Sequence, residues 1–382
     1  MRQVGIMSMQ RIRNYGSSLQ AYALKRTIES LGEGAEVSFL DYQPGPTLVP
    51  DAVHSSKLGR SLAKLWEYND VDAGVVDRIR FFNHKRAYAA KYFPMLGIGE
   101  DPGAEFDLDV QVIGSDEVFN CFQSNTDVGY SRDLFGRHPR APKVISYAGS
   151  FGNATLERIN AAGLRADIEE DLAGLAAVSV RDRNSADIVG AICGKTPEVH
   201  VDPVIVYDWA HLEHRIPLER LVDDRYMIVY GYSGRLDQSE NDLIRRHARE
   251  IGVQVICIGG VQACGDRFVD CDPFELFAYF RDAEAVITDT FHGTIFSLIN
   301  HVPFGTIVRP TRGESYGNEE KLGFLLDTFG VMSRRLCDVA DIARVLDIPI
   351  DADLVDSTIR HERSRSLAYL SREISNGSKP TA

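Results

Sequence analysis

The stretch Thr288-Asp289-Thr290-Phe291-His292-Gly293-Thr294-Ile295-Phe296-Ser297 sets an imidazole and a glycine directly after an apolar run, Ala285-Val286-Ile287-Thr288. Apolar helical spacing resumes near Thr294. In open α/β sheets ligands bind just beyond the carboxyl ends of strands, and the unpaired amides of a helix start suit an anion. His292 can exchange a proton there, Gly293 permits close backbone approach, and Thr294 can donate to a phosphate or cap the helix. A core histidine beside a turn glycine is the plainer reading of the same residues.

Three further stretches share this form, an apolar run leading into a polar turn. Asn14-Tyr15-Gly16-Ser17-Ser18-Leu19-Gln20 follows Val4 to Met7; Asn14 can cap a helix and Gly16 can admit a ligand. Its single glycine does not make a dinucleotide fingerprint, and a purely structural cap explains it equally well. Ile113-Gly114-Ser115-Asp116-Glu117-Val118-Phe119-Asn120 brings Asp116, Glu117 and Asn120 to a strand's end, where they can hold sugar hydroxyls or simply begin a helix. Ser179-Val180-Arg181-Asp182-Arg183-Asn184-Ser185 sends two arginines out of a buried strand, which is costly unless they face a wet cleft or meet an anion. Arginine matches carboxylate and phosphate in a bidentate way, and an Arg–Asp pair at a helix start is the alternative.

The elements that must position these residues alternate in type. Apolar β-branched runs at 110–113, 143–146, 177–180, 227–230, 253–256 and 285–288 are separated by amphipathic stretches, the pattern of βαβ units in a mainly parallel, doubly covered sheet. The first helix reads from about Ser17 to Leu31, with Leu24, Ile28 and Leu31 on one stripe and Gly32 as its stop. A mixed-charge helical stretch over about 58–90 breaks the rhythm and is expected to pack outside the first sheet. Asp202-Pro203 and Ile216-Pro217 precede a fresh run of strands. This divides the chain into a first domain, 1–205, and a second, 206–345, followed by a helical segment, 346–374, and a disordered tail, 375–382.

Composition narrows the function classes. The chain has 382 residues, more than one core usually serves, with 44% apolar and 25% charged residues. Its 42 basic and 55 acidic residues leave a net charge of −13, which disfavours nucleic acid or an anionic membrane as a partner. No apolar run approaches the length of a membrane span, and Val4 to Met7 is too short for a signal-peptide core. Cys257, Cys264 and Cys271 lack the close ligand pairs of zinc sites, so the expectation is free thiols in a reducing, cytoplasmic compartment and no metal.

The series Asn14-Tyr15-Gly16 with Leu19-Gln20-Ala21-Tyr22-Ala23-Leu24, then Gly114-Ser115-Asp116, Ser146-Tyr147-Ala148, Ser179-Val180-Arg181, Asp202-Pro203 and Phe291-His292-Gly293-Thr294 resembles the polysaccharide pyruvyl transferases. The likeness runs from about Val4 to Leu336. It departs at Glu117 and Phe119, where the family often has Gln and Trp, and at Lys321, where it often has Arg. The resemblance implies two Rossmann-like domains with mostly parallel sheets facing across a cleft, as in GT-B glycosyltransferases, with the C-terminal helical segment crossing back to the first domain. It also implies transfer of a carboxyethylidene group from phosphoenolpyruvate, as co-substrate and without a cofactor, to a sugar in a polysaccharide or in a polymeric or lipid-linked glycan precursor. That acceptor would bring transient proximity to a membrane.

On this reading His292, Asp116 and Arg181 are the catalytic residues. Gly293, Thr294, Ser297, Lys321 and Arg183 bind the donor, and Asn14, Tyr15, Gly16, Ser115 and Asn120 the acceptor. The alternatives are a sugar-nucleotide glycosyltransferase on the same fold and a non-catalytic glycan-binding protein.

Overall fold

The computed structural model describes residues 1–32, 34–49, 72–99, 107–309 and 318–375. The tail expected to be disordered and the start of the helical stretch expected over 58–90 lie largely outside them.

Two six-stranded sheets, all of whose pairs are parallel, carry the chain. The first comprises β1 (Arg2–Met7), β2 (Ala35–Leu40), β3 (Val110–Asp116), β4 (Lys143–Gly149), β5 (Ser179–Val180) and β6 (Glu198–Val199), in the order β2-β1-β3-β4-β5-β6. The second comprises β7 (Tyr226–Tyr230), β8 (Gln254–Ile258), β9 (Arg267–Phe268), β10 (Ala285–Thr288), β11 (Phe304–Ile307) and β12 (Arg335–Leu336), in the order β12-β11-β10-β7-β8-β9. Every residue of β3, β7 and β10 is buried, as expected of strands covered on both faces. The expected fold, two Rossmann-like α/β domains of parallel sheet, is the one observed.

Strand order fixes where ligands can bind. The order reverses between β1 and β3 in the first sheet and between β7 and β10 in the second, and crevices open at such switch points beyond the strands' carboxyl ends. Asp116 ends β3 and Thr288 ends β10, so the candidate residues sit at both crevices.

Three helices open just after β1, β5 and β10, each with a side-chain cap, and a fourth without one packs beside them. Helix α1 (Tyr15–Glu29) is capped by Asn14, whose side chain accepts from the Ser17 amide at 2.8 Å. A second helix of interest, α2 (Val75–Tyr92), buries Phe81, His84, Tyr88 and Tyr92, a stripe at helical spacing. Helix α3 (Arg183–Cys193) is capped by Asp182, which accepts from the Ser185 amide at 2.7 Å. Helix α4 (Phe291–Ile299) is capped by Thr290, so it begins three residues before the expected start near Thr294.

The two domains share a core. Tyr15, Leu19 and Tyr22 of α1 pack in one cluster with Val204, Trp209, Phe274, Phe277, Phe296 and Tyr88 and Tyr92 of α2, while Phe81 packs in a second cluster with Phe268 and Met227. The α2 stripe therefore lies against both domains rather than outside the first sheet. Tyr88 meets Tyr15 edge-on at 5.7 Å, and Phe81 meets Phe268 of β9 at 5.4 Å. Each such aromatic contributes roughly 1.5–3 kcal/mol by burial. The last helix, α5 (Ala352–Ser375), packs on the first sheet, where the Tyr369 hydroxyl donates to the Ser146 carbonyl at 2.8 Å and Lys143 pairs with Glu373 at 3.1 Å.

Candidate active site

Arg181 leaves β5 and is 4% exposed. A guanidinium so deeply buried requires anions, and the fold supplies two. Its Nη1 donates to Oδ2 of Asp202 at 2.9 Å, and its Nη2 lies 3.6 Å from Oδ1 of Asp116. Its face covers the ring of Phe291 at 4.2 Å. Burial works against the charge, but Asp202 and Asp116 outweigh it and keep Arg181 cationic.

Asp202 is fully buried and links both sides of the site. Its Oδ1 accepts from the Val204 amide at 3.0 Å, capping the short helix Pro203–Val206. Its Oδ2, already bonded to Arg181, lies 3.4 Å from Nε2 of His292 in the second domain. That contact lacks hydrogen-bond alignment, and among the described residues His292 Nε2 is buried with no hydrogen-bond partner; Arg181 Nε is in the same state. Burial acts to raise the Asp202 pKa, yet His292 and Arg181 hold it below the ordinary carboxylate value. Unpaired buried polar atoms cost free energy, and two of them flanking one carboxylate mark a place where a polar ligand would be stabilised.

The other edge of the imidazole faces α1. A Cβ on Gly16 would stand 2.3 Å from Nδ1 of His292, so only glycine lets the two domains approach this closely. Gly16 was expected to admit a ligand; it admits the histidine ring. Next to it, the Ser17 hydroxyl donates to Oδ2 of Asp116 at 2.8 Å, and Asp116 holds a left-handed φ of 71°.

A second bridge crosses between the domains. Lys321 Nζ donates to Oε1 of Glu117 at 2.9 Å, while Glu117 Oε2 accepts from Asn120 Nδ2 at 2.9 Å. Burial acts to raise the Glu117 pKa, but the Lys321 ammonium overrides it and holds the group at about 2.

Several expected ligand contacts are taken up by the protein itself. The Gly293 amide donates to Thr290 Oγ1 at 2.9 Å and the Thr294 amide to the Thr290 carbonyl, so neither amide awaits an anion. The hydroxyls of Thr294 and Ser297 donate back to the carbonyls of Thr290 and Gly293, as such side chains do when buried in a helix. Tyr15 donates to the Cys271 carbonyl at 2.6 Å within the shared core. Asn14 caps α1, and the Ser115 hydroxyl is buried and donates to the Ala148 carbonyl. Asn120 accepts from the Phe122 amide as well as donating to Glu117. Lys321, expected as a mobile charge for the donor, is the partner of Glu117. Arg183 stands exposed at the start of α3, with its guanidinium 5.9 Å from the Phe324 ring.

The profile of the polysaccharide pyruvyl transferase family matches residues 14–309, most of the chain. The chain belongs to this family. It is accordingly a transferase. No curated protein matches it. Among solved structures, Arabidopsis thaliana UGT89C1 complexed with UDP-L-rhamnose is 11% identical, with 98% of this chain and 99% of that one covered and a TM-score of 0.49. The S. aureus MnaA–UDP co-structure is 11% identical, with 98% and 95% covered and a TM-score of 0.48. A mutant O-GlcNAc transferase from Thermobaculum terrenum is 13% identical over 98% of this chain but 64% of that one, with a TM-score of 0.40.

In this pyruvyl transferase the matched span contains Arg181, Asp202 and His292 together. Sequence reasoning chose Arg181 and His292 as site residues but took Asp202 only as a candidate structural partner of Arg181, as part of the Asp-Pro motif and as a marker of the domain boundary. Its signal was the Asp-Pro dipeptide, which reads as a capped helix start and conceals the carboxylate's second oxygen. Ser17 was read only as part of a cap. Among the described residues no helix is long and apolar enough to cross a membrane.

Proposed function

We propose that the chain transfers the carboxyethylidene group of phosphoenolpyruvate to two hydroxyls of one sugar, forming a pyruvate ketal and releasing inorganic phosphate. The observation that carries this reading is the pair of orphaned buried atoms, Arg181 Nε and His292 Nε2, on either side of Asp202 where the two sheets' strand ends meet.

The reaction needs a proton on the enol carbon, two attacks by hydroxyl oxygens on the carbon that bears the phosphate, and departure of that phosphate. One hydroxyl proton ends on the enol carbon and the other leaves with the phosphate, so atoms and charge balance. His292 takes a hydroxyl proton through Nε2 and returns it to the departing phosphate. Asp202, 3.4 Å from that same nitrogen, stabilises the imidazolium by its charge while it carries the proton. Arg181 meets the donor's carboxylate or phosphate with the edge not used by Asp202, and the exposed Arg183 adds charge at the mouth. Asp116, held by Ser17, accepts from the sugar's hydroxyls. No step calls for a metal or an organic cofactor.

The test is incubation with phosphoenolpyruvate and a panel of glycan acceptors in the presence of EDTA. Phosphate release that depends on an acceptor, together with the pyruvate ketal mass increment on that acceptor, is the expected result. Acceptor-independent phosphate release, or an acceptor that gains a sugar from a nucleotide donor instead, would refute the reading.

A further inference from the structure

We propose that the outward face of α2 docks on an anionic lipid bilayer. The helix buries one stripe of aromatic side chains, and water should face polar residues on the other side. It does not in the first two turns. Val75, Val76, Ile79 and Phe82 are 62, 60, 56 and 37% exposed. Of the twelve large apolar side chains that are exposed among the described residues, these four share one short stretch of a single helix. A clustered apolar face of this kind marks an interaction surface.

The charge around the face chooses the partner. Helix α2 carries Arg78, Arg80, Lys85, Arg86 and Lys91 in a chain whose net charge is −13; Arg80 pairs with Asp77 on the helix and Lys91 with Asp270 beside it, which still leaves a surplus of cations. Apolar side chains flanked by cations are the mark of a helix that lies in a membrane interface. The net charge does not forbid this, because charges beyond a Debye length of about 10 Å at 0.1 M salt are largely screened. The cluster nearest the surface therefore governs attraction to anionic headgroups, against the expectation drawn from composition. A second copy fits poorly, because a two-fold contact would bring the same cations face to face.

The helix also lies beside the cleft. Lys85 donates to the carbonyl of Arg13, which directly precedes Asn14, the cap of α1. Docking would hold the entrance near α1 at the bilayer surface, whatever reaction the cleft carries out.

The full chain should be sedimented with vesicles of phosphatidylcholine alone and with vesicles containing about one-third phosphatidylglycerol. It should pellet with the anionic vesicles at low ionic strength and be released as salt rises. The double substitution Val76→Asp with Ile79→Asp, at exposed sites, should leave circular dichroism and melting unchanged and weaken vesicle binding by about tenfold or more. Arg80→Glu with Arg86→Glu should weaken it similarly. The proposal is overturned if the chain pellets with neither vesicle, or if the Asp variant binds as tightly as the parent. It is equally overturned if light scattering finds a dimer that the Asp variant dissociates while vesicle binding is absent.

Discussion

Oδ2 of Asp202, at the end of the first domain, lies 3.4 Å from Nε2 of His292, at the start of α4 in the second. The pair joins a fully buried carboxylate to an imidazole whose Nε2 has no hydrogen bond among the described residues, and Arg181 shares the carboxylate at 2.9 Å. The proton transfer proposed for His292 depends on both domains, so the variants that test it must separate chemistry from folding.

His292→Ala should remain folded and lose about a hundredfold or more in turnover, the usual scale for an acid–base group. Asp202→Asn keeps the size of the side chain but removes the charge that stabilises the imidazolium. It should lower kcat more than it changes KM for phosphoenolpyruvate, and shift the pH–rate profile. Phosphate-release assays across pH read both effects; an unchanged profile with Asp202→Asn would leave Asp202 a scaffold for Arg181 alone.

Arg181→Ala would leave Asp202 and Asp116 buried without their cation, an error that costs about 3–5 kcal/mol of stability. Its melting temperature should fall clearly. Arg181→Lys retains the charge but loses the planar fork, so it should fold and bind phosphoenolpyruvate about tenfold or more weakly. Calorimetric titration distinguishes the two roles. Unaltered donor affinity in Arg181→Lys would make Arg181 purely structural.

Gly16→Ala places a methyl 2.3 Å from His292 Nδ1, closer than any real contact. The ring or α1 must move, and overpacking of this kind costs about 1–3 kcal/mol. The variant should therefore lose both melting temperature and most of its turnover. Wild-type activity in Gly16→Ala would show that the imidazole works in another position.

The Glu117–Lys321 bridge has a defined pH signature. Glu117 is held at about 2 in the fold against 4.5 as its ordinary value, so its folded form is the depressed one. Its contribution to stability is complete above 4.5 and is lost as pH falls from there towards 2. Denaturant titrations should show wild type more stable than Glu117→Gln at neutral pH, with the gap closing through that window. A gap that is constant with pH would mean the ion pair contributes nothing.

The parallel α/β architecture was legible in the apolar runs, because a strand buried on both faces must be almost wholly apolar along its length, as β3, β7 and β10 are. The motif residues were legible too, since His292, Arg181 and Asp116 each stand where a strand ends. What the linear pattern could not hold was the pairing of side chains that lie far apart in the chain. Asp202 reaches Arg181 and His292, Glu117 reaches Lys321, and Gly16 meets His292. Nor did it show that Thr290 would occupy the amides of Gly293 and Thr294, because a cap and an anion compete for the same donors and only local geometry decides between them. Residue type set which chemistry was available; packing of one domain on the other decided which groups would be left unpaired to perform it.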